Sequence, residues 1–165
     1  MLDELAEGAG TAAGGRERTV AVDLATPQAV ALTVDLAEYN WQAHSVLVVD
    51  DEEGMRNFLE RTLARRCGMV QSAGDAEHAE ALMTRLHFDL LILDIALPGK
   101  SGIEWLHELR EHGYTGDVIL VTAFADMETA IDALRGGASD FILKPFRVDQ
   151  ILNSIKRCFE RARLT

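Results

Sequence analysis

Five polar residues stand at the ends of short apolar runs, where they could act together on a phosphoryl group. They are Asp50, Asp51, Asp94, Thr122 and Lys144. Three carboxylates brought together repel one another unless a cation or protons intervene, and an all-oxygen site of this kind suits Mg²⁺. A carboxylate beside such an ion can attack phosphorus, while Lys144 balances the charge of the transferred group and Thr122 donates a hydrogen bond. These residue types therefore indicate metal-assisted phosphoryl transfer.

These residues can meet only if the chain forms a parallel sheet. From Ser45 onward, short β-branched apolar runs alternate with amphipathic stretches, which is the rhythm of β-α-β units. Three runs are apolar on both faces and predict central strands, and two shorter runs predict flanking strands: Val46–Val49, Leu90–Leu93 and Val118–Val121, then Met69–Ser72 and Phe141–Leu143. Because the carboxyl ends of parallel strands meet at one edge of the sheet, the polar residues that follow them should converge there.

Helical spacing of apolar residues predicts five helices between and after these strands. The helix nearest the chain end should run over Arg147–Arg163, and the one before it over Met127–Arg135. Local signals mark the helix ends. Asp75 and Asp126 could cap N-termini, Ser101 with Glu104 forms a capping-box pattern, and Gly68, Gly113 and Gly136 suit C-terminal stops.

Composition divides the chain into three segments. Residues 1–18 are rich in Gly, Ala and charge, which predicts a disordered leader. Residues 19–44 predict an N-terminal extension that could form a short helix with a stripe ending at Trp41, although a semi-ordered leader is the alternative. Residues 45–163 hold the strand and helix pattern and predict a single domain.

Charge and cysteine content argue against several functional classes. The net charge is −11, both the first 44 residues and the remainder are acidic, and no basic stripe is present, so we expect no direct nucleic-acid binding. No apolar run approaches the roughly 20 residues of a membrane-spanning helix, and the N-terminus lacks a secretory signal. We therefore expect a cytoplasmic protein. Cys67 and Cys158 lack metal-ligand or disulfide spacing and are interpreted as packing thiols.

Four motifs, in this order, resemble the signature blocks of response-regulator receiver domains: Val46–Glu52, Leu93–Gly99, Val121–Ala123 and Phe141–Phe146. The resemblance covers about residues 45–163. It implies a flavodoxin-like, doubly wound α/β fold with five helices and a five-stranded parallel sheet of order 2-1-3-4-5. The stretch Thr122 to Phe146 is most similar to receivers of the nitrogen-regulation group. Those receivers usually precede an ATPase and a DNA-binding domain that activate transcription with an alternative sigma factor.

The resemblance also implies the role of each acidic residue. Asp94 should be the phosphoacceptor, with a sensor histidine kinase or a phosphotransfer protein as the donor. Asp51, Asp94 and the Ala96 carbonyl should bind Mg²⁺ directly, and Asp50 should act largely through water. Lys144 should assist the phosphoryl transfer.

Two further residues are implied to transmit the signal. Thr122 and Phe141 should form the switch pair, whose rearrangement alters the face made by the fourth helix, fifth strand and fifth helix. In the family this face commonly forms a homodimer, and we expect the same here. The Lys144–Pro145 peptide should be cis, an isomer that costs little only before proline.

Alternatives are open for the output. Because the sequence ends at Thr165, where a linker to an output domain would begin, we expect a piece of a longer regulator; a natural single-domain phosphorelay or protein-interaction receiver is the alternative. A phosphatase with the same aspartate chemistry would want a second aspartate two residues after Asp94, where Ala96 stands.

Ala96 and Phe124 should border the path of an attacking water. Since neither can orient that water, we expect slow dephosphorylation.

Overall fold

The computed structural model describes residues 39–123 and 127–164. Within these residues the chain alternates five strands with five helices. In chain order the elements are β1 (Trp41–Val49), α1 (Glu53–Ala64), β2 (Cys67–Ala73), α2 (Ala76–Met83), β3 (Leu90–Asp94), α3 (Gly102–Glu111), β4 (Asp117–Thr122), α4 (Met127–Arg135), β5 (Asp140–Leu143) and α5 (Val148–Leu164). The chain divides into two units between Gln42 and Ala43, and the second unit contains nearly all of the described residues.

The five strands form one sheet of order β2-β1-β3-β4-β5, as the resemblance to receiver domains implied. The pairings of β1 with β3, β3 with β4 and β4 with β5 are parallel. Their registers place Val49 opposite Leu93, Asp94 opposite Val121, and Thr122 opposite Leu143. Strand order reverses beside β1, so the sheet has the switch point at which doubly wound folds bind ligands.

The central strands are buried because both of their faces are covered. The apolar residues at positions 46–49, 90–93 and 118–121 are all almost inaccessible to solvent. The helices bury apolar side chains from one face, such as Leu59 and Leu63 of α1 and Trp105 and Leu106 of α3. Full burial of one Val, Leu or Ile side chain stabilises the fold by roughly 1.5–3 kcal/mol. Because the central strands bury many such side chains, they form the rigid part of the scaffold.

Two helix starts have the predicted caps. The Asp75 side chain accepts a hydrogen bond of 2.8 Å from the backbone N–H of His78 at the start of α2. At the start of α3, the Glu104 N–H donates to Ser101 Oγ over 3.2 Å, and the Ser101 N–H donates to Glu104 Oε1 over 3.0 Å. This reciprocal capping box fixes where α3 begins, at Gly102, with seven residues between the end of β3 and the start of the helix.

Some predicted boundaries were wrong. Gly68 does not stop a helix, since α1 ends at Ala64 and Gly68 is already the second residue of β2. The predicted end of α4 at Arg135 is confirmed, with Gly136 directly after it, but the left-handed conformation there is adopted by Gly137, with φ of 107°. The predicted stop at Gly113 is also confirmed, with φ of 93°.

The first strand also starts earlier than expected. Trp41 is the first residue of β1 and not the end of a helical stripe. The other predictions for residues 1–38, and the cap predicted at Asp126, lie outside the described residues. No helix within residues 39–123 and 127–164 combines the length and apolar character that crossing a membrane requires.

Candidate functional site

The ends of four strands bring the predicted polar residues to one edge of the sheet. Asp94 and Thr122 are the last residues of β3 and β4. Asp50 directly follows β1, and Lys144 directly follows β5. The strand registers place all four at the carboxyl edge, so residues as far apart in sequence as Asp50 and Lys144 become neighbours.

Lys144 joins the two buried carboxylates. Its Nζ donates hydrogen bonds of 2.8 Å to Asp50 Oδ2 and 3.1 Å to Asp94 Oδ2. The three side chains are only 12%, 5% and 7% exposed, respectively, so water screens these charges weakly. Glu52 lies farther away, with Oε1 3.9 Å from Nζ, and its side chain is exposed. One ammonium therefore serves two buried carboxylates.

Backbone amides hold the second oxygen of each carboxylate. The Glu52 N–H donates to Asp50 Oδ1 over 2.9 Å, and the Ala96 N–H donates to Asp94 Oδ1 over 3.1 Å. Each bond joins a side chain to the amide two residues later, as in an Asx turn. The chain thus orients Asp50 and Asp94 through its own loops, before any ligand is bound.

The charges of the site are incompletely balanced. Burial raises the pKa of Asp94, and the nearby charge of Asp50 adds to this; the Ala96 N–H and Lys144 act in the opposite direction without cancelling it. For Lys144, burial disfavours the ammonium, but the hydrogen bonds to Asp50 and Asp94 outweigh burial and raise its pKa. The lysine is fully compensated by its two partners, whereas each carboxylate receives only a share of one cation.

A divalent cation would supply the positive charge that these carboxylates lack. Asp50, Asp51 and Asp94 each offer a carboxylate oxygen, and the three oxygens lie within 4.8 Å of one another. Asp51 is exposed while the other two are buried, which leaves one side of the cluster open to water or a phosphate. An all-oxygen, partly open set of this kind suits Mg²⁺ better than softer metals. The residues present therefore fit the predicted ion; the ligand role of the Ala96 carbonyl stays a prediction.

The two predicted switch residues lie on neighbouring strands. Thr122 is buried, and its carbonyl accepts a hydrogen bond of 2.8 Å from the Lys144 N–H, which ties the end of β4 to the residue after β5. Phe141 of β5 is half-buried and packs against the apolar core. The Lys144–Pro145 peptide is cis, as predicted.

Two residues near the site were not foreseen. Arg56 of α1 donates from Nη1 to the Asp50 carbonyl over 2.7 Å. Gly102, the first residue of α3, packs so closely on the end of β3 that a Cβ there would lie 2.3 Å from the Asp94 carbonyl oxygen. The position of Arg56, five residues after Asp51 and in the first turn of α1, was a usable signal. Nothing in the sequence marked the close approach of Gly102.

Comparison with known proteins identifies the family. A model described as the response regulator receiver domain matches residues 46–156. The chain belongs to this receiver family of two-component signalling proteins. The match includes every predicted site residue and leaves out residues 1–45. The family prediction is therefore confirmed.

Curated relatives and solved structures agree with this assignment. The chain is 36% identical to the regulatory protein AtoC of Escherichia coli over 115 residues, which cover 70% of this chain and 25% of AtoC. It is also 36% identical, over 119 residues, to the C4-dicarboxylate transport transcriptional regulatory protein DctD of Pseudomonas aeruginosa, covering 72% of this chain and 26% of DctD. The chain spans a quarter to about half the length of the curated relatives it matches.

The structural matches confirm the predicted fold. The beryllofluoride-activated NtrC4 receiver domain dimer is 33% identical, with a TM-score of 0.66 that covers 71% of this chain and 97% of that one. NtrX from Brucella abortus is 32% identical, with a TM-score of 0.68 over 73% of this chain and 28% of NtrX. The likeness to the NtrC4 receiver domain agrees with the resemblance found in the sequence.

Proposed function

We propose that this receiver is a switch that accepts a phosphoryl group on Asp94 from a phosphohistidine of a sensor kinase or phosphotransfer protein. The observation that carries the proposal is the pairing of Lys144 with Asp50 and Asp94 beside three clustered carboxylate oxygens. Such a site offers a nucleophile, a fixed cation and a cation-binding position in one pocket.

The transfer step follows from the geometry of Asp94. A lone pair on one carboxylate oxygen forms the new O–P bond, while the electron pair of the N–P bond returns to the imidazole nitrogen of the donor. The reaction needs no oxidant or reductant. The buried position of Asp94, at the end of a rigid strand, limits its motion, and one of its carboxylate oxygens lies within 4.8 Å of an oxygen of the exposed Asp51.

Nearby groups balance the charge that moves. The Lys144 ammonium lies 3.1 Å from Asp94 Oδ2 and can pair with a phosphoryl oxygen after the transfer. The Thr122 hydroxyl, on the adjacent strand end, is the donor for another phosphoryl oxygen. Asp50, Asp51 and Asp94 would hold Mg²⁺, which would supply positive charge that favours ionised Asp94 and offsets the charge of the incoming phosphate.

A small phosphodonor tests the nucleophile. With acetyl phosphate and Mg²⁺, intact-mass measurement should show one phosphoryl group, removable by hydroxylamine, and chelation of Mg²⁺ should abolish labelling. Asp94→Asn should not be labelled. The matched control is Asp89→Asn at the other end of β3, which should be labelled as well as the parent. Full labelling of the Asp94 variant would place the nucleophile elsewhere.

The output surface is the face made by α4 and β5. Within the described residues the strongly exposed large apolar side chains all lie there: Met127 at 77%, Ile131 at 42%, Leu134 at 49% and Leu143 at 54%. Apolar side chains grouped on one face mark an interaction site. We propose a phosphorylation-dependent homodimer through this face, as the NtrC4 receiver forms a dimer in its activated state. The dimer would control an output domain, with transcription in the cytoplasm as its target.

Sedimentation measures this association directly. With beryllofluoride and Mg²⁺ the parent should form a dimer, because a phosphate mimic shifts the population towards the active form. Ile131→Glu on α4 should weaken the dimer by roughly tenfold or more, since it places a charge in the apolar contact. The control Ala81→Glu, on the exposed side of α2, should leave it unchanged. A parent that stays monomeric contradicts the proposal.

A further inference from the structure

Arg56 reaches from α1 to the end of β1, behind the acidic cluster. It lies in the first turn of α1, which begins at Glu53. Its Nη1 donates to the Asp50 carbonyl over 2.7 Å, and its guanidinium lies against Gly74 in the β2–α2 loop, where a Cβ would come within 3.2 Å of Nη1. The side chain is half-buried. Arg56 thus connects α1, in which it lies, with the end of β1 and with the β2–α2 loop.

The Asp50 carbonyl requires a donor at this point. The Asp50 N–H pairs with the Ala73 carbonyl of β2 over 3.0 Å at this end of the strand. Beyond Ala73 the chain turns away to the cap of α2 at Asp75. Arg56 supplies the hydrogen bond to the Asp50 carbonyl. A carbonyl left without a donor next to a buried residue is unfavourable, and its peptide group rotates to find another partner.

This carbonyl belongs to the peptide that joins Asp50 to Asp51. Because the peptide unit is planar, holding its oxygen fixes ψ of Asp50 and φ of Asp51 together. The carboxylates on either side of that peptide are two of the three in the cluster. We propose that Arg56 is a positioning residue that sets the directions of both carboxylates for Mg²⁺ binding. The proposal rests on the function proposed above, since it concerns the same site.

Charge and positioning predict opposite effects, which makes the proposal testable. Arg56 is a permanent cation close to an anionic cluster, so on charge alone its removal should strengthen Mg²⁺ binding. Positioning requires the reverse, because residues that orient metal ligands typically contribute roughly tenfold to a hundredfold in affinity. The direction of the change therefore separates the two effects.

The experiment compares three variants by calorimetry with Mg²⁺ and by NMR without it. Arg56→Met removes the donor and the charge but keeps much of the side-chain length, and it should weaken Mg²⁺ binding by roughly tenfold or more. Arg56→Lys keeps a donor and the charge and should recover part of that loss. Arg61→Met, an exposed position on the same helix, should match the parent. Circular dichroism should show all three folded.

The backbone amide of Glu52 provides a metal-free readout. It donates to Asp50 Oδ1 over 2.9 Å, so its chemical shift reports the orientation of that carboxylate. The chemical shift of the Glu52 amide should change in Arg56→Met and should remain unchanged in Arg61→Met. An unmoved Glu52 amide, or Mg²⁺ affinity equal to or tighter than that of the parent, overturns the proposal. If the parent itself neither binds Mg²⁺ nor accepts a phosphoryl group, the proposed function fails, while the metal-free Glu52 shift still decides the role of Arg56.

Discussion

The two ends of β3 carry one aspartate each, and their environments differ. Asp89 stands just before the strand, and Asp94 is its last residue. Both are linked to neighbouring strands, yet the pKa of Asp94 is raised and that of Asp89 is lowered. The ionised form of Asp89 is therefore stabilised at one end of β3, whereas the ionised form of Asp94 is disfavoured at the other end.

Donors surround Asp89. The Ser45 N–H donates to Asp89 Oδ2 over 2.9 Å, and the His87 Nε2 lies 3.0 Å from Oδ1. His44 Nδ1 is 3.5 Å from Oδ2, and its ring stacks on Phe159 with the centroids 4.0 Å apart. Burial works against ionisation of Asp89, but the Ser45 amide and the His87 and His44 rings outweigh burial. This end of the sheet is arranged for stability.

At the other end, Asp94 shares Lys144 with Asp50. The Mg²⁺ proposed for this site would offset the unfavourable arrangement with its own positive charge. Perturbed carboxylates tend to gather at functional sites for that reason. Location at a strand end therefore does not distinguish Asp94 from Asp89. The balance between hydrogen-bond donors and buried charge around each carboxylate does.

The largest expected effect on stability comes from removing the shared cation. Lys144→Met leaves Asp50 and Asp94 buried without a counter-charge, which should lower the free energy of unfolding by about 3 kcal/mol at pH 7.5 in a chelating buffer. Chemical denaturation measures this loss. The loss should shrink as the pH falls, because protonation of the carboxylates removes their repulsion. Added Mg²⁺ should restore part of the stability.

Lys100→Met is the control for that experiment. Lys100 pairs with Glu108 at the surface, so its loss should leave stability nearly unchanged. If Lys144→Met instead loses the same stability at every pH and does not respond to Mg²⁺, then lysine packing, and not charge balance, holds this edge of the sheet together.

Neutralising the aspartate at either end of β3 should change stability in opposite directions. Asp89→Asn should destabilise the metal-free protein by about 1 kcal/mol at neutral pH, because charge-assisted hydrogen bonds are weakened. Asp94→Asn should stabilise it by on the order of 1 kcal/mol, a rise of about 3 °C in Tm, because like-charge repulsion is removed. Thermal denaturation of the two variants, in parallel with the parent, measures both effects.

The pH dependence of the two variants should also differ. The pKa of Asp89 is lowered in the folded state, so its contribution is present above the unfolded value and is lost as the pH falls through the folded one. The pKa of Asp94 is raised, so its penalty is absent below about 3.9 and is complete above the folded pKa. The gain in Asp94→Asn should therefore vanish near pH 4. If both variants change the stability in the same direction at neutral pH, the two ends of β3 do not differ in this way.

Most of the fold and the site residues could be predicted from the sequence because their signals are local. Doubly apolar runs identified the central strands, and strand polarity then required Asp50, Asp94 and Lys144 to share an edge. The caps at Asp75 and Ser101 were equally local. These features are confirmed, and the receiver family with them.

Contacts between distant elements could not be predicted in this way. Trp105 is buried, and its Nε1 donates to Glu80 Oε2 over 2.8 Å, which links α3 to α2; no local signal in the sequence predicts this contact. The hydrogen bond from Arg56 to the Asp50 carbonyl depends on how α1 folds back on β1. A glycine signal was misplaced by one residue at the end of α4, because a Gly-Gly pair does not reveal which member adopts the positive φ.

The smallest expected effect concerns how long Asp94 stays phosphorylated. Ala96 is exposed, and its N–H lies 3.1 Å from Asp94 Oδ1, so the residue adjoins the predicted phosphoacceptor. A methyl group cannot orient an attacking water, and for that reason we predict slow hydrolysis in the parent. Ala96→Asn adds a hydrogen-bonding amide and should speed phosphate release by roughly tenfold. The other residue predicted to border the water path, Phe124, lies outside the described residues.

Phosphate release from labelled protein in excess Mg²⁺ is the measurement. Ala96→Val serves as the matched control, because it adds volume without a donor or acceptor and should leave the rate at or below that of the parent. Acceleration by both variants would mean that a disturbed loop, and not an oriented water, limits the lifetime. A parental rate in Ala96→Asn would show that this position does not control hydrolysis. The lifetime would then depend on Lys144 and Mg²⁺ alone, because those charges stabilise the departing phosphoryl group whichever side chain stands at position 96.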